Sequence, residues 1–204
     1  RLTDEELVNF FILLFPAGAE TTRNAFGAGL RSLIEHPDEF SKLREDPTLM
    51  RSAIEEIVRW TTPSIYKRRT VTRDIAFRGR SLKEGDKLTV WEMSANRDER
   101  VFEDPFKFDV ARWPNRHIGF GFGPHICLGA ALARLELKVG LTALFERIAT
   151  FETDGRCSGC RTTDCWASND YRFELPSKDR RMSDSNDRRE KGKALARRIL
   201  KDGP

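Results

Sequence analysis

The stretch Phe120 to Gly129, FGFGPHICLG, constrains this chain more than any other part of it. Glycines at 121, 123 and 129 open tight backbone conformations to the loop, and Cys127 stands among them. After it an apolar period returns. Leu128, Leu132, Leu135 and Val139 fall at spacings of four, three and four, which predicts an amphipathic helix of about five turns. Cys127 is thereby placed at a helix N-terminus, where the dipole is positive and main-chain N–H groups can close on a sulfur or on a flat ligand above it. A sulfur held this way is a nucleophile or a metal ligand. A lone cysteine is more commonly a buried structural residue, and the glycine loop argues against that here.

Upstream the texture is helical. Thr3 and Glu6 form a capping box, and the following run LVNFFILLF is apolar on nearly every face, so it predicts a helix that passes through an interior. Pro16 removes a main-chain donor and is expected to open that helix near Ile12. His36-Pro37 and Asp46-Pro47 start two more helices with Pro at the first helical position, the second running to Trp60 and stopping before Pro63. From Ile65 to Val90, short β-prone pieces separated by the turns RGRS and KEGDK predict a small antiparallel sheet. Residues 102 to 119 are rich in Pro, Phe and Asp without a period, and this irregular segment leads into the Cys127 loop. The fold class is mainly α with a small antiparallel β-sheet.

Composition narrows the partners. The net charge of +4 is local: residues 177–204 hold ten of the 36 Lys/Arg and five of the 32 Asp/Glu, leaving the remainder near neutrality. That tail has no aromatics among its basic residues, so it reads as a solvated end rather than a nucleic-acid surface. Leu7 to Phe15, the longest apolar run, is far short of the ~20 residues of a membrane helix. With no signal peptide opening the 204 residues, the expectation is a cytoplasmic protein without a membrane span. Cys157, Cys160 and Cys165 form C-x2-C-x4-C with no histidine nearby, a poor metal signature.

At this point the residues carry a resemblance. FGFGPHICLG is similar to the haem-binding loop of cytochrome P-450 monooxygenases, F-G-x-G-x-H/R-x-C-x-G, and Phe120, Gly121, Gly123, His125, Cys127 and Gly129 meet every fixed position. AGAETT (17–22) resembles the oxygen-binding segment of the family's central I helix, EIVR (56–59) its E-x-x-R in the K helix, and FDVARW (108–113) the segment supplying the arginine that joins it. The resemblance runs through residues 1–152 and implies the C-terminal half of that fold, with helices I, J, K and L and the Cys loop. It implies haem b with Cys127 as the axial iron ligand, O2 as co-substrate, and electrons from NAD(P)H through a ferredoxin-type partner. His125 and Arg69 match propionate contacts, with His117 a third candidate, while Arg68 reads as solvated.

Further roles follow from the same resemblance. Ala17 and Gly18 leave room for dioxygen, Glu20 and Thr21 pass protons as the catalytic pair, and Glu56, Arg59 and Arg112 make a structural clamp. Ser64 and Ile65 line the substrate pocket, and the wording of EIVRWTTP, SANRDE and CLGAALARLEL resembles hydroxylases of sterol side chains and methyl-branched lipids. Residues 1–176 are expected to form the C-terminal part of one such domain, with 153–167 atypical and 177–204 a charged tail. The functional expectation is a haem-thiolate monooxygenase, an oxidoreductase acting on an apolar C–H bond. The competing one is a non-catalytic remnant that binds haem loosely without turnover.

Overall fold

The computed structural model describes residues 1–148, and the backbone of two further strands at 150–153 and 171–174. Cys157, Cys160, Cys165, the atypical stretch from residue 154 onward and the charged tail lie outside the described residues.

Helix α1 spans Asp4–Glu35 and opens with the capping box that its sequence predicts: the Glu6 N–H donates to Thr3 Oγ1 at 3.2 Å, and Glu6 Oε2 accepts the Thr3 N–H at 2.8 Å. Contrary to expectation, α1 runs unbroken through Pro16. Proline deletes a single donor, and the hydrogen bonds of the neighbouring turns carry the helix across the gap. The second half of α1 is the buried half, through Ala25, Leu30 and Leu33, whereas Leu7 to Phe15 stand exposed, so this run does not pass through an interior formed by the described residues.

Helix α2 (Pro37–Glu45), a 3-10 turn at Pro47–Leu49 and helix α3 (Met50–Thr61) follow, each of the first two beginning on proline. Helix α3 supplies the centre of the core. Ala53, Ile54, Ile57 and Val58 pack with Leu33, Leu43, Phe108 and Val110, and with Leu137 and Leu141 of helix α5 (Ala130–Arg147). Close approach is built in: a Cβ at Gly29 of α1 would lie 2.5 Å from Ile57 Cγ2.

The predicted sheet consists of two antiparallel ribbons. Strand β1 (Tyr66–Thr70) pairs with β4 (Lys87–Trp91), and β2 (Ile75–Phe77) pairs with β3 (Arg80–Leu82). Arg78 and Gly79, both at positive φ (49° and 75°), make the two-residue turn joining β2 to β3. After β4 come a single helical turn, α4 (Glu92–Ala95), and the irregular segment; β5 (Thr150–Thr153) and β6 (Tyr171–Glu174) form a third antiparallel pair. No described helix is long and apolar enough to cross a membrane.

One expectation about α5 is corrected. Of the predicted stripe, Leu128 and Leu132 are 82% and 58% exposed, while Leu137 and Leu141 are fully buried against α1 and α3. The helix is apolar on two sides, and residue spacing cannot tell which side will find a neighbour.

Candidate functional site

The loop from Phe120 to Gly129 is closed by its own backbone. The Cys127 N–H donates to the Phe120 carbonyl at 2.8 Å, the Gly121 N–H to Ile118 at 2.7 Å, and the Ile126 N–H to Gly123 at 3.0 Å. Gly121 and Gly123 sit at φ 74° and 75°, the left-handed region that a side chain would strain. Cys127 is exposed and lies just ahead of α5, whose N-cap is Gly129. Phe122, Ile126, Leu128 and Leu132, close to it in the chain, carry exposed apolar side chains. A Cβ at Gly123 or Gly129 would meet nothing within 4 Å. His125, in the 3-10 turn Gly123–His125, is exposed on the same loop.

The structure brings Glu56, Arg59 and Arg112 together. Both Glu56 and Arg59 are fully buried, and Arg59 donates through Nε and Nη2 to the two Glu56 oxygens at 2.7 Å each. Arg112 Nε lies 3.3 Å from Oε1 and 3.2 Å from Oε2 of the same carboxylate. The spare donors of the clamp hold the irregular segment: Arg59 Nη1 donates to the Asn96 and Pro105 carbonyls at 2.8 Å each, and Arg112 Nη1 to the Glu103 carbonyl at 2.6 Å. A segment without helix or strand is thus pinned by charge-assisted bonds.

Several partners were not read from the sequence. Asn115 Nδ2 and the Asp109 N–H each donate to Glu56 at 3.0 Å. Buried Asn96 donates to Thr62 Oγ1 at 3.0 Å and accepts the Ile118 N–H at 2.8 Å, tying the end of α3 to the approach of the Cys127 loop. Glu55 accepts from His117 Nε2 at 2.9 Å and from Arg134 Nη2 at 2.9 Å. Burial pushes the Glu55 carboxyl up, but hydrogen bonds from His117 and Arg134, with the Arg134 charge, outweigh it and hold it down to about 2. No spacing rule marks these pairs; only the capacity of Asn96 and Glu55 for several hydrogen bonds pointed toward them.

His117, the third propionate candidate, faces the protein. Its Nδ1 accepts the Gly119 N–H at 3.1 Å while Nε2 faces Glu55, so both ring nitrogens are engaged within the protein. Arg69, on exposed β1, donates to the Arg68 carbonyl at 3.0 Å and keeps its other donors for solvent or a ligand. Ser64 accepts from Lys67 Nζ at 2.6 Å, and the Ile65 carbonyl accepts the Met93 N–H at 3.2 Å, so this stretch is anchored to α4. On α1, Thr21 Oγ1 donates to the Ala17 carbonyl at 2.8 Å, Glu20 is exposed, and nothing lies within 4 Å of a Cβ on Gly18.

Haem fits this donor set. The described residues contain no group of three or more His, Cys, Asp or Glu that could hold a bare ion. What they present is one exposed soft sulfur in an apolar, glycine-opened bed, the setting for a single axial bond to an iron that a large flat ring already holds. His125 and Arg69 are exposed and carry N–H donors.

The chain belongs to the cytochrome P450 family, whose model matches residues 1–155. It is similar to a methyl-branched lipid omega-hydroxylase of Mycobacterium tuberculosis, 50% identical over 146 residues that cover 71% of this chain and 34% of that protein. It is also similar to a steroid C26-monooxygenase of the same species, 45% identical over 148 residues covering 72% and 40%. Among solved structures, the cytochrome P450 PksS of Bacillus subtilis superposes with a TM-score of 0.73 at 42% identity, over 75% of this chain and 40% of that one. The mainly helical fold with small antiparallel ribbons is thus a P450 fold in part, and the chain spans well under half the length of these relatives.

Proposed function

We propose that the protein carrying this chain is a haem-thiolate monooxygenase that inserts one oxygen atom from O2 into an apolar C–H bond of a lipid-like or steroid-like substrate. The observation that carries the reading is the Cys127 loop, an exposed thiol within an apolar bed at the head of α5. When bound, haem supplies the iron at which O2 is activated, with electrons arriving from NAD(P)H through a ferredoxin-type donor.

The chain's own residues divide the remaining work. Cys127 holds the iron, and Phe120 keeps the Cys127 main chain in place through its carbonyl. Arg69 binds the propionates as a cation and His125 as a hydrogen-bond donor. Small Ala17 and Gly18, the latter with nothing within 4 Å of its Cβ position, would leave room for dioxygen on α1. Thr21, whose hydroxyl proton is committed to the Ala17 carbonyl, presents its oxygen lone pairs to a water, and exposed Glu20 is the nearby acid that resupplies protons from solvent. Ser64 and Ile65, fixed through Lys67 and Met93, are the substrate contacts. The activities that name the two mycobacterial relatives, on a methyl-branched lipid and on a steroid, support an extended apolar substrate.

The test is the carbon-monoxide difference spectrum of the reduced, haem-loaded protein. Cys127→Ala abolishes the thiolate band, whereas replacing Cys157, Cys160 and Cys165 together leaves it intact. Survival of the band without Cys127 overturns the assignment.

A further inference from the structure

Glu56 has its clamp, but its neighbour Glu55 serves a different set of groups. The Glu55 side chain is 13% exposed and joins three elements: α3, on which it sits, the loop before Cys127 through His117, and α5 through Arg134. Its two arms converge on one ring. The Arg134 guanidinium lies 4.3 Å from the centre of Phe120, over its face, and the His117 ring lies 5.8 Å from the same ring. Phe120 in turn accepts the Cys127 N–H through its carbonyl. The segment has little freedom to drift from α3, because a Cβ at Gly119 would lie 2.7 Å from Val58 Cγ1. A carboxylate on a core helix therefore fixes both the ring of the residue whose carbonyl holds the Cys127 main chain and a cation above that ring.

We propose that Glu55 is a positioning residue for the Cys127 centre: by gripping Arg134 and His117 it holds Phe120 in place and keeps a paired positive charge beside the sulfur, and thereby sets the reduction potential of the bound haem. The proposal rests on the reading of Cys127 as the iron ligand. The Arg134 guanidinium is held above its ordinary value first by the Glu55 hydrogen bond, against the effect of burial, with the charges of Glu55 and Cys127 adding to it. Reduction of the iron adds a negative charge, so an unpaired cation nearby favours it and an unpaired carboxylate opposes it.

The experiment measures the haem reduction potential of the haem-loaded full-length protein by spectroelectrochemistry. The variants are Glu55→Gln, Arg134→Gln, the double variant and Arg134→Lys. Glu55→Gln shifts the potential upward, Arg134→Gln shifts it downward, and the double variant returns close to the wild type. Arg134→Lys, which keeps the charge and loses the fork, lies nearer the wild type than Arg134→Gln. A loosened loop would instead move both single variants in the same direction, and that result, or unmoved potentials, overturns the proposal. Should Glu55→Gln fail to fold, the comparison of Arg134→Gln with Arg134→Lys decides: equal potentials overturn the proposal, and restoration by lysine supports it. A thiolate band in the wild type with unmoved potentials overturns this proposal alone. Its absence from the wild type overturns the Cys127 reading and this proposal together.

Discussion

Glu56 and Arg59 are both fully buried, and each satisfies the other's charge. Arg59→Ala leaves an anion in the core facing only Arg112 and neutral donors, so chemical denaturation should show a loss of about 3–5 kcal/mol. Arg59→Lys should recover only part of it, since an ammonium cannot reproduce the fork and the carbonyl contacts together. Glu55 makes a prediction about pH. Its carboxyl is held at about 2, against 4.5 when free, so its contribution to stability is fully present above pH 4.5 and is lost as pH falls toward 2. Urea midpoints measured across that window should fall less steeply in Glu55→Gln than in the wild type; equal slopes would show that the pairing contributes nothing. Gly18 separates stability from function. With nothing within 4 Å of its Cβ position, Gly18→Ala should stabilise α1 by about 0.5–1 kcal/mol, and, on the proposal that Gly18 leaves room for dioxygen, the added methyl should weaken carbon-monoxide binding to the reduced haem protein.

The elements differ in how they are held. Helices α1 and α3 touch almost backbone to side chain at Gly29, where a methyl would lie 2.5 Å from Cγ2 of fully buried Ile57. Gly29→Ala should therefore cost about 1–3 kcal/mol despite the better helix propensity of alanine, the opposite sign to Gly18→Ala on the same helix. Thermal unfolding of the two variants side by side checks the contrast, and a stabilised Gly29→Ala would mean that α1 slides freely over α3. The irregular segment behaves otherwise. It holds its path through the carbonyls of Asn96, Glu103, Pro105 and Lys107, all accepting from the two clamp arginines, so its order depends on charges rather than on a backbone ladder.

At the scale of the whole molecule, the described residues combine a packed core with open apolar faces. Leu7 to Phe15 of α1 and the Phe122, Ile126, Leu128 and Leu132 surface around Cys127 carry exposed apolar side chains, while the core lies at the junction of α3 with the second half of α1 and with α5. Apolar surface in this amount promotes association in water. Expressed alone, residues 1–204 should self-associate and hold haem weakly compared with the full-length protein, as sedimentation and haem content would report. A monomer with stoichiometric, thiolate-ligated haem would show that the open faces need no cover.

The local devices were legible from the residues alone: the capping box at Thr3, the proline opening α2, the turn at Arg78-Gly79, the glycine-opened Cys127 loop and the three-residue spacing of Glu56 and Arg59; the helix expected to start at Pro47 instead opens with a 3-10 turn and becomes α-helical at Met50. Each depends on neighbours within one or two turns, where residue type dictates backbone geometry. The tertiary structure alone decided which face of α5 is covered, that the first half of α1 stands open, and that His117 turns to Glu55. It also paired Glu55 with Arg134, 79 residues away in the chain, and His117 with Glu55 across 62. A helical period repeats on every apolar face alike, and a carboxylate accepts from any donor that reaches it; packing between distant segments determines which face is covered and which donor arrives.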